Sequence, residues 1–154
     1  MRRTAAASLV LLALAACARA ETPALRGIAP AGAERLEERG SWDVAIAQIS
    51  TEIVADLRRQ PHDDIDSQRW KMPARVGFDQ ACADLQRALG AGWQPLAPST
   101  LPQHGVDARR CGWREPATFG HERVFVLAWD EVPVRLAANA DPVRLAVTVF
   151  TRGD

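Results

Sequence analysis

The sequence predicts an α+β domain in which two helices pack on one face of a small, mainly antiparallel β-sheet. Two observations give the helices. Trp42, Ile46, Ile49, Ile53 and Leu57 recur at the spacing of one helical face, and so do Phe78, Cys82, Leu85 and Leu89. A third gives the sheet: the C-terminal part of the chain changes period. Residues 124–129 (Val-Phe-Val-Leu-Ala-Trp) form a continuous β-prone run, and Val143, Leu145, Val147 and Val149 alternate with Arg144, Ala146, Thr148 and Phe150.

Taken in order, residues 18–40 are rich in Ala, Pro, Gly and charge and read as a tether, with a short helical turn over 33–39. Ser41 suits the N-cap of the first helix, which runs about 18 residues from Trp42. Arg58, Arg59 and Gln60 close it and Pro61 stops it. Residues 61–75 read as a loop pinned to the core by Trp70. His62, Asp63, Asp64 and Asp66 crowd oxygens there, but the glycine and distal glutamate of a calcium loop are missing, so a solvated acidic loop is expected.

The second helix spans residues 78–89, with Asp79 at its positive end and Gly90 and Gly92 as left-handed stops. Residues 93–98 read as a short strand, 97–105 as an exposed loop, 109–114 as a strand and 116–120 as a turn. Residues 124–129 are expected at the centre of the sheet, and 143–149 as a half-buried final strand. Between them Pro133-Val-Arg-Leu-Ala and Pro142-Val-Arg-Leu-Ala repeat five residues, nine apart. That period is too short for a repeat fold. The copies are either coincidence or two β segments flanking Asn139-Ala-Asp.

The N-terminus carries an address. Arg2 and Arg3 precede an apolar run of about 12 residues, the length of a signal-peptide core and short of the ~20 a membrane span needs. Leu14-Ala15-Ala16-Cys17 closes that run and resembles the lipobox of bacterial lipoproteins. The resemblance implies cleavage before Cys17 and a diacylglycerol on its thiol, anchoring the mature chain to a membrane. Ala18, in place of the aspartate that tends to retain such proteins at the inner membrane, implies the outer membrane, facing the periplasm. Two alternatives stay open. Ala18-Arg19-Ala20 is a small-x-small site, and cleavage there would release a soluble periplasmic protein starting at Glu21; the leader could also stay uncleaved as an anchor. The resulting organisation is a signal peptide over 1–16, a tether over 17–40 and one domain over 41–154.

With Cys17 assigned to lipid, Cys82 and Cys111 remain as a pair for a disulfide in an oxidising compartment. Such a bond would staple the second helix to the strand carrying Cys111 and Trp113, whose side chains share a strand face. Without Arg2 and Arg3 the chain holds 17 basic and 19 acidic residues, which argues against nucleic-acid partners. The final Arg-Gly-Asp is read as chance beside a bacterial leader.

No esterase elbow, zinc-protease motif or phosphate loop is present, and no cofactor or metal is expected. His104 and His121 flank the Cys111 strand, and with Glu122 or Asp107 they make a minor hydrolase reading. Trp113 with Arg110 and Arg114 is the candidate binding surface, because tryptophan and arginine are favoured at protein hot spots. The leading expectation is a non-enzymatic envelope lipoprotein that binds another envelope protein as an assembly, secretion-accessory or inhibitor module. The alternative is a small-ligand or cell-wall binding domain. Helices followed by strands also resemble small outer-membrane assembly lipoproteins, whose motifs this chain lacks.

Overall fold

The computed structural model describes residues 24–37, 43–57, 64–96, 99–101, 108–117 and 122–151. Residues 1–23, with Cys17, and Ser41, Trp42, His62, His104 and His121 lie outside the described residues. Nine elements follow in chain order: β1 (Glu34–Arg35), α1 (Asp43–Leu57), β2 (Ile65–Pro73), α2 (Phe78–Leu89), β3 (Gln94–Pro95), β4 (Ser99–Leu101), β5 (Ala108–Glu115), β6 (Arg123–Asp130) and β7 (Val143–Thr151). The fold is α+β, with sheet predominating.

All strand pairs are antiparallel, in the order β1-β2-β7-β6-β5-β3, with β4 also pairing β5. β6 and β7 are interior, as the apolar run of 124–129 led one to expect. Their alternate side chains enter two separate cores. Val124, Val126, Ala128, Leu145, Val147 and Val149 form an aliphatic cluster with Ile46, Ile49 and Ile53 of α1. Phe125, Leu127, Trp129, Ala146 and Phe150 form an aromatic-rich cluster with Phe78, Ala81, Leu85 and Leu89 of α2. Successive residues of a strand point to opposite faces, so the two helices lie against opposite faces of the sheet. The expectation of both helices on one face is corrected. Helical periodicity shows which face of a helix is apolar, not which side of a sheet it covers.

The same pairing explains why β7 is buried on both sides rather than half-buried. Ala146, Thr148 and Phe150 are as inaccessible as Leu145, Val147 and Val149, and only Arg144 on that side stays partly exposed. Trp70 of β2 lies over this small-residue groove and donates its indole N–H to Thr148 Oγ1 at 2.9 Å. A buried N–H needs such a partner. Phe125 stacks on Phe150 at 5.8 Å, and Phe78 meets Trp129 edge-on at 5.0 Å.

Two stretches expected to be irregular are ordered strand. Residues 65–73, placed in an acidic loop, form β2 and pair with β7 over its full length. Polar residues at alternate positions hid this strand: Gln68, Trp70 and Met72 are buried, while Arg69 and Lys71 are half-exposed on the other side. Ser99–Leu101 lies in the stretch read as a loop and extends the edge that β3 begins. The expected strand at 93–98 is confined to Gln94–Pro95. Pro95 is tolerated because β3 is an edge strand.

The tether is also shorter than expected. Residues 24–37 belong to the domain, and β1 replaces the expected helical turn. Leu25 is 4% exposed in the aromatic cluster, with Ile28, Ala29 and Ala33 packed against it. Gly27 N–H donates to Gln68 Oε1, and Arg26 pairs with Asp66 at 3.7 Å. The chain then turns at Pro30–Ala33, with Gly32 at φ +76°, and returns as β1 against Trp70 and Lys71. An Ala- and Pro-rich composition suggests a solvated linker, yet its few apolar residues suffice to dock it once the sheet supplies a surface.

Cys82 and Cys111 are disulfide-bonded, joining α2 to β5 as expected. The bond closes a separation of 29 residues. In the chain-entropy model a loop of that length contributes ~3–4 kcal/mol. Replacing both cysteines by alanine is expected to lower the unfolding free energy by about that amount in urea titration, with the m-value rising as the unfolded chain expands. Thr148→Val, which leaves the Trp70 N–H without its acceptor, is expected to cost ~1–3 kcal/mol in the same measurement.

Candidate functional site

The antiparallel registers give the sheet two ends. Ile65 and Thr151 lie opposite each other at one end, next to Arg123 and Glu115. Pro73 and Val143 mark the other, with Asp130 and Ala108. A concavity among the described residues lies at this second end. It is a cleft of about 470 Å³ lined by Gly32, Glu34, Lys71–Arg75 and Asp141–Val143.

Local geometry builds its walls. Lys71 pairs with Glu34 across the β1–β2 register, and Ala74 N–H donates to Pro142 O at 3.3 Å. Val76 N–H closes a turn onto Pro73 O at 3.0 Å. The far wall is the β6–β7 connection, whose two Pro-Val-Arg-Leu-Ala copies face one another. Val134 and Val143, the second residue of each copy, exchange both backbone hydrogen bonds at 2.8 Å. The two copies therefore meet at a single antiparallel bridge, and Arg135 ties the turn between them by donating to Ala140 O at 2.6 Å. Val132 is 59% exposed on the same projection.

The lining combines apolar walls (Met72, Pro73, Ala74, Pro142, Val143) with two carboxylates and two cations. It holds no histidine, cysteine or hydroxyl side chain. Such a set can bind a polar segment or small molecule through charge and apolar contact. Among the described residues no group of His, Cys, Asp and Glu is positioned to hold a metal ion. No described helix is long and apolar enough to cross a membrane.

The surface chosen from sequence is not one surface. Trp113 is 3% exposed and belongs to the aromatic cluster, with Phe125 at 6.3 Å. Arg110 and Arg114, three residues before it and one after, therefore point to the opposite face of β5. Arg114 lies 3.6 Å from Glu122. Trp113 thus packs beside the disulfide and is withdrawn as a contact residue. Trp70, Trp93 and Trp129 are buried in the same cluster. The His104–His121 idea rests on residues outside the described ones.

What sequence reasoning missed is how the aromatic core ends. At the cleft end Arg144 lies over Trp129 at 5.4 Å and Arg109 over Phe78 at 4.3 Å, and Glu131 joins both arginines. Asp79 also pairs with Arg109. At the other end Arg123 lies over Trp93 at 5.4 Å and pairs with Glu115 at 2.8 Å. Each arginine covers an aromatic ring with its planar guanidinium while keeping charge near water. No linear spacing announces these pairings, because each joins residues from different elements.

No family model matches the chain, and no curated protein or solved structure is similar to it.

If Arg123 covers Trp93 as described, Arg123→Ala is expected to raise acrylamide quenching of tryptophan fluorescence. It should lower stability by about 1 kcal/mol, the combined scale of one cation–π contact and one partly exposed ion pair. Arg135→Ala, which removes the hydrogen bond to Ala140 O, should leave quenching unchanged.

Proposed function

We propose that the chain is a non-enzymatic lipoprotein of the bacterial cell envelope, anchored through Cys17 to the outer membrane and facing the periplasm, whose domain binds another envelope protein. The observation that carries this reading is the use of the cysteines. Cys82 and Cys111 are joined to each other, which leaves Cys17 as the remaining cysteine, placed after Leu14-Ala15-Ala16 and an apolar run. A disulfide between a helix and a strand fits an oxidising compartment. A cysteine directly after a signal-peptide core fits lipidation.

Within the domain, the cleft between β1–β2 and the β6–β7 projection supports binding as its task. Its neighbouring hairpin exposes Val132, and its lining carries both signs of charge, as suits the polar rim of a protein interface. The same cleft favours a second reading, a small-ligand or cell-wall binding domain, since its volume lies within the range of small-molecule sites.

The lipoprotein reading is tested by expressing the full chain in a Gram-negative host with radiolabelled palmitate. Label on the wild-type protein and its loss in Cys17→Ser, with accumulation of the uncut precursor, is the expected result. A mature protein starting at Glu21 without label would replace it by a soluble periplasmic protein. Partner and ligand are separated by photocross-linking in cells from Val132. One dominant protein adduct supports the protein-binding reading; none, with calorimetric binding of cell-wall fragments, supports the second.

A further inference from the structure

The β6–β7 connection is more than a turn. Trp129 pairs with Ala146, and Val134 with Val143. Five positions separate Trp129 from Val134 and three separate Val143 from Ala146, so the outgoing leg carries two extra residues. This is a bulge, which interrupts the ladder and re-aims the chain beyond it. There the Val132 N–H turns back onto Asp130 Oδ1 at 2.8 Å.

Beyond the bulge the hairpin is lightly held. No residue from Glu131 to Val143 is buried, whereas Val124–Asp130 and Leu145–Thr151 are buried throughout. The two Pro-Val-Arg-Leu-Ala copies put Pro133 on the outgoing leg and Pro142 on the returning one, and each proline removes a ladder donor. Ala74 N–H donates to Pro142 O, but Pro142 has no N–H to return.

Glu131 fastens this hairpin to the sheet. Its Oε1 accepts the Trp129 indole N–H at 3.3 Å and lies 3.5 Å from Arg109 Nε. Its Oε2 lies 3.7 Å from Arg144 Nη1, which also donates to the Glu131 carbonyl. The three donors stand on β6, β5 and β7.

We infer that residues 131–142 form a lid on the cleft that opens as a unit beyond the bulge, with Glu131 as its latch. Asp141 and Pro142 line the cleft together with Lys71–Arg75 of the other wall. Opening parts Val134 from Val143 and Pro142 from Ala74, and leaves the inner β6–β7 ladder intact. A segment with few buried contacts opens at lower free energy than the core it extends. A ligand bridging the two walls is gripped only with the lid shut, so closure couples to binding. That the cleft is the binding site rests on the reading above. The opening does not, and its test needs no ligand, so its failure leaves that reading standing.

The test is amide hydrogen exchange, followed residue by residue by NMR, on the full chain purified from the expressing cells in detergent micelles. In the wild type the Ala74, Val134 and Val143 amides are expected to share one protection level, roughly tenfold or more below that of Val147 and Val149. Glu131→Gln is expected to lower the three together by a further ~fivefold and to leave Val147 and Val149 unchanged. Protection of Val134 and Val143 equal to the inner pair, or three unrelated levels, would overturn the lid. No change in Glu131→Gln, or an equal fall at all five amides, would overturn the latch. If Glu131→Gln does not fold, the wild-type comparison still decides the lid, and Arg109→Gln, which removes one of the donors to Glu131, decides the latch.

Discussion

The structure depends on the pleat of β6 and β7. These two interior strands carry apolar residues at every position of their paired core except Thr148, and the strict alternation of side chains divides them into two sets. Val124, Val126, Ala128, Leu145, Val147 and Val149 meet the isoleucines of α1. Phe125, Leu127, Trp129, Ala146 and Phe150 meet α2 and the tryptophans. Shifting either strand by one residue would exchange the sets, sending bulky rings under α1 and small aliphatics under α2. Volume thus fixes register: one side needs flat rings and the other close-packed branched chains.

Most of the remaining architecture serves to cover those two faces. α1 supplies one lid. The other is made of α2, the Trp70 side chain bonded to Thr148, and the clasp around Leu25. The disulfide holds α2 to β5, so the aromatic side is closed covalently as well as by packing. Arginines finish the job at both ends, lying over Trp129, Phe78 and Trp93 where rings would otherwise meet water. The cleft arises as a by-product of this arrangement, where the clasp turns at Gly32 beside the β6–β7 projection.

Both helices and the strands at 124–129 and 143–149 were legible because their signals are local. Ile46, Ile49 and Ile53 repeat within one helix, and Val143, Leu145, Val147 and Val149 within one strand. The disulfide was legible through cysteine count and the faces of α2 and β5. β2 was not, because its buried residues are interrupted by charge and its strand character comes from pairing with β7. The candidate surface failed for a related reason. Arg110, Trp113 and Arg114 are close in sequence, but the pleat sends Trp113 to the opposite side from the two arginines.

By itself the sequence determined what a short window of chain can encode: an apolar N-terminal run ending in Leu-Ala-Ala-Cys, the existence and extent of α2, the apolar faces of both helices, the strand at residues 124–129, and the pairing of Cys82 with Cys111. Only the tertiary structure decided which face of the sheet each helix covers, that residues 24–37 are docked, that Trp113 is core, and where a cleft opens. Those outcomes depend on contacts between residues far apart in the chain. Their energies belong to the assembled surfaces, not to any one segment.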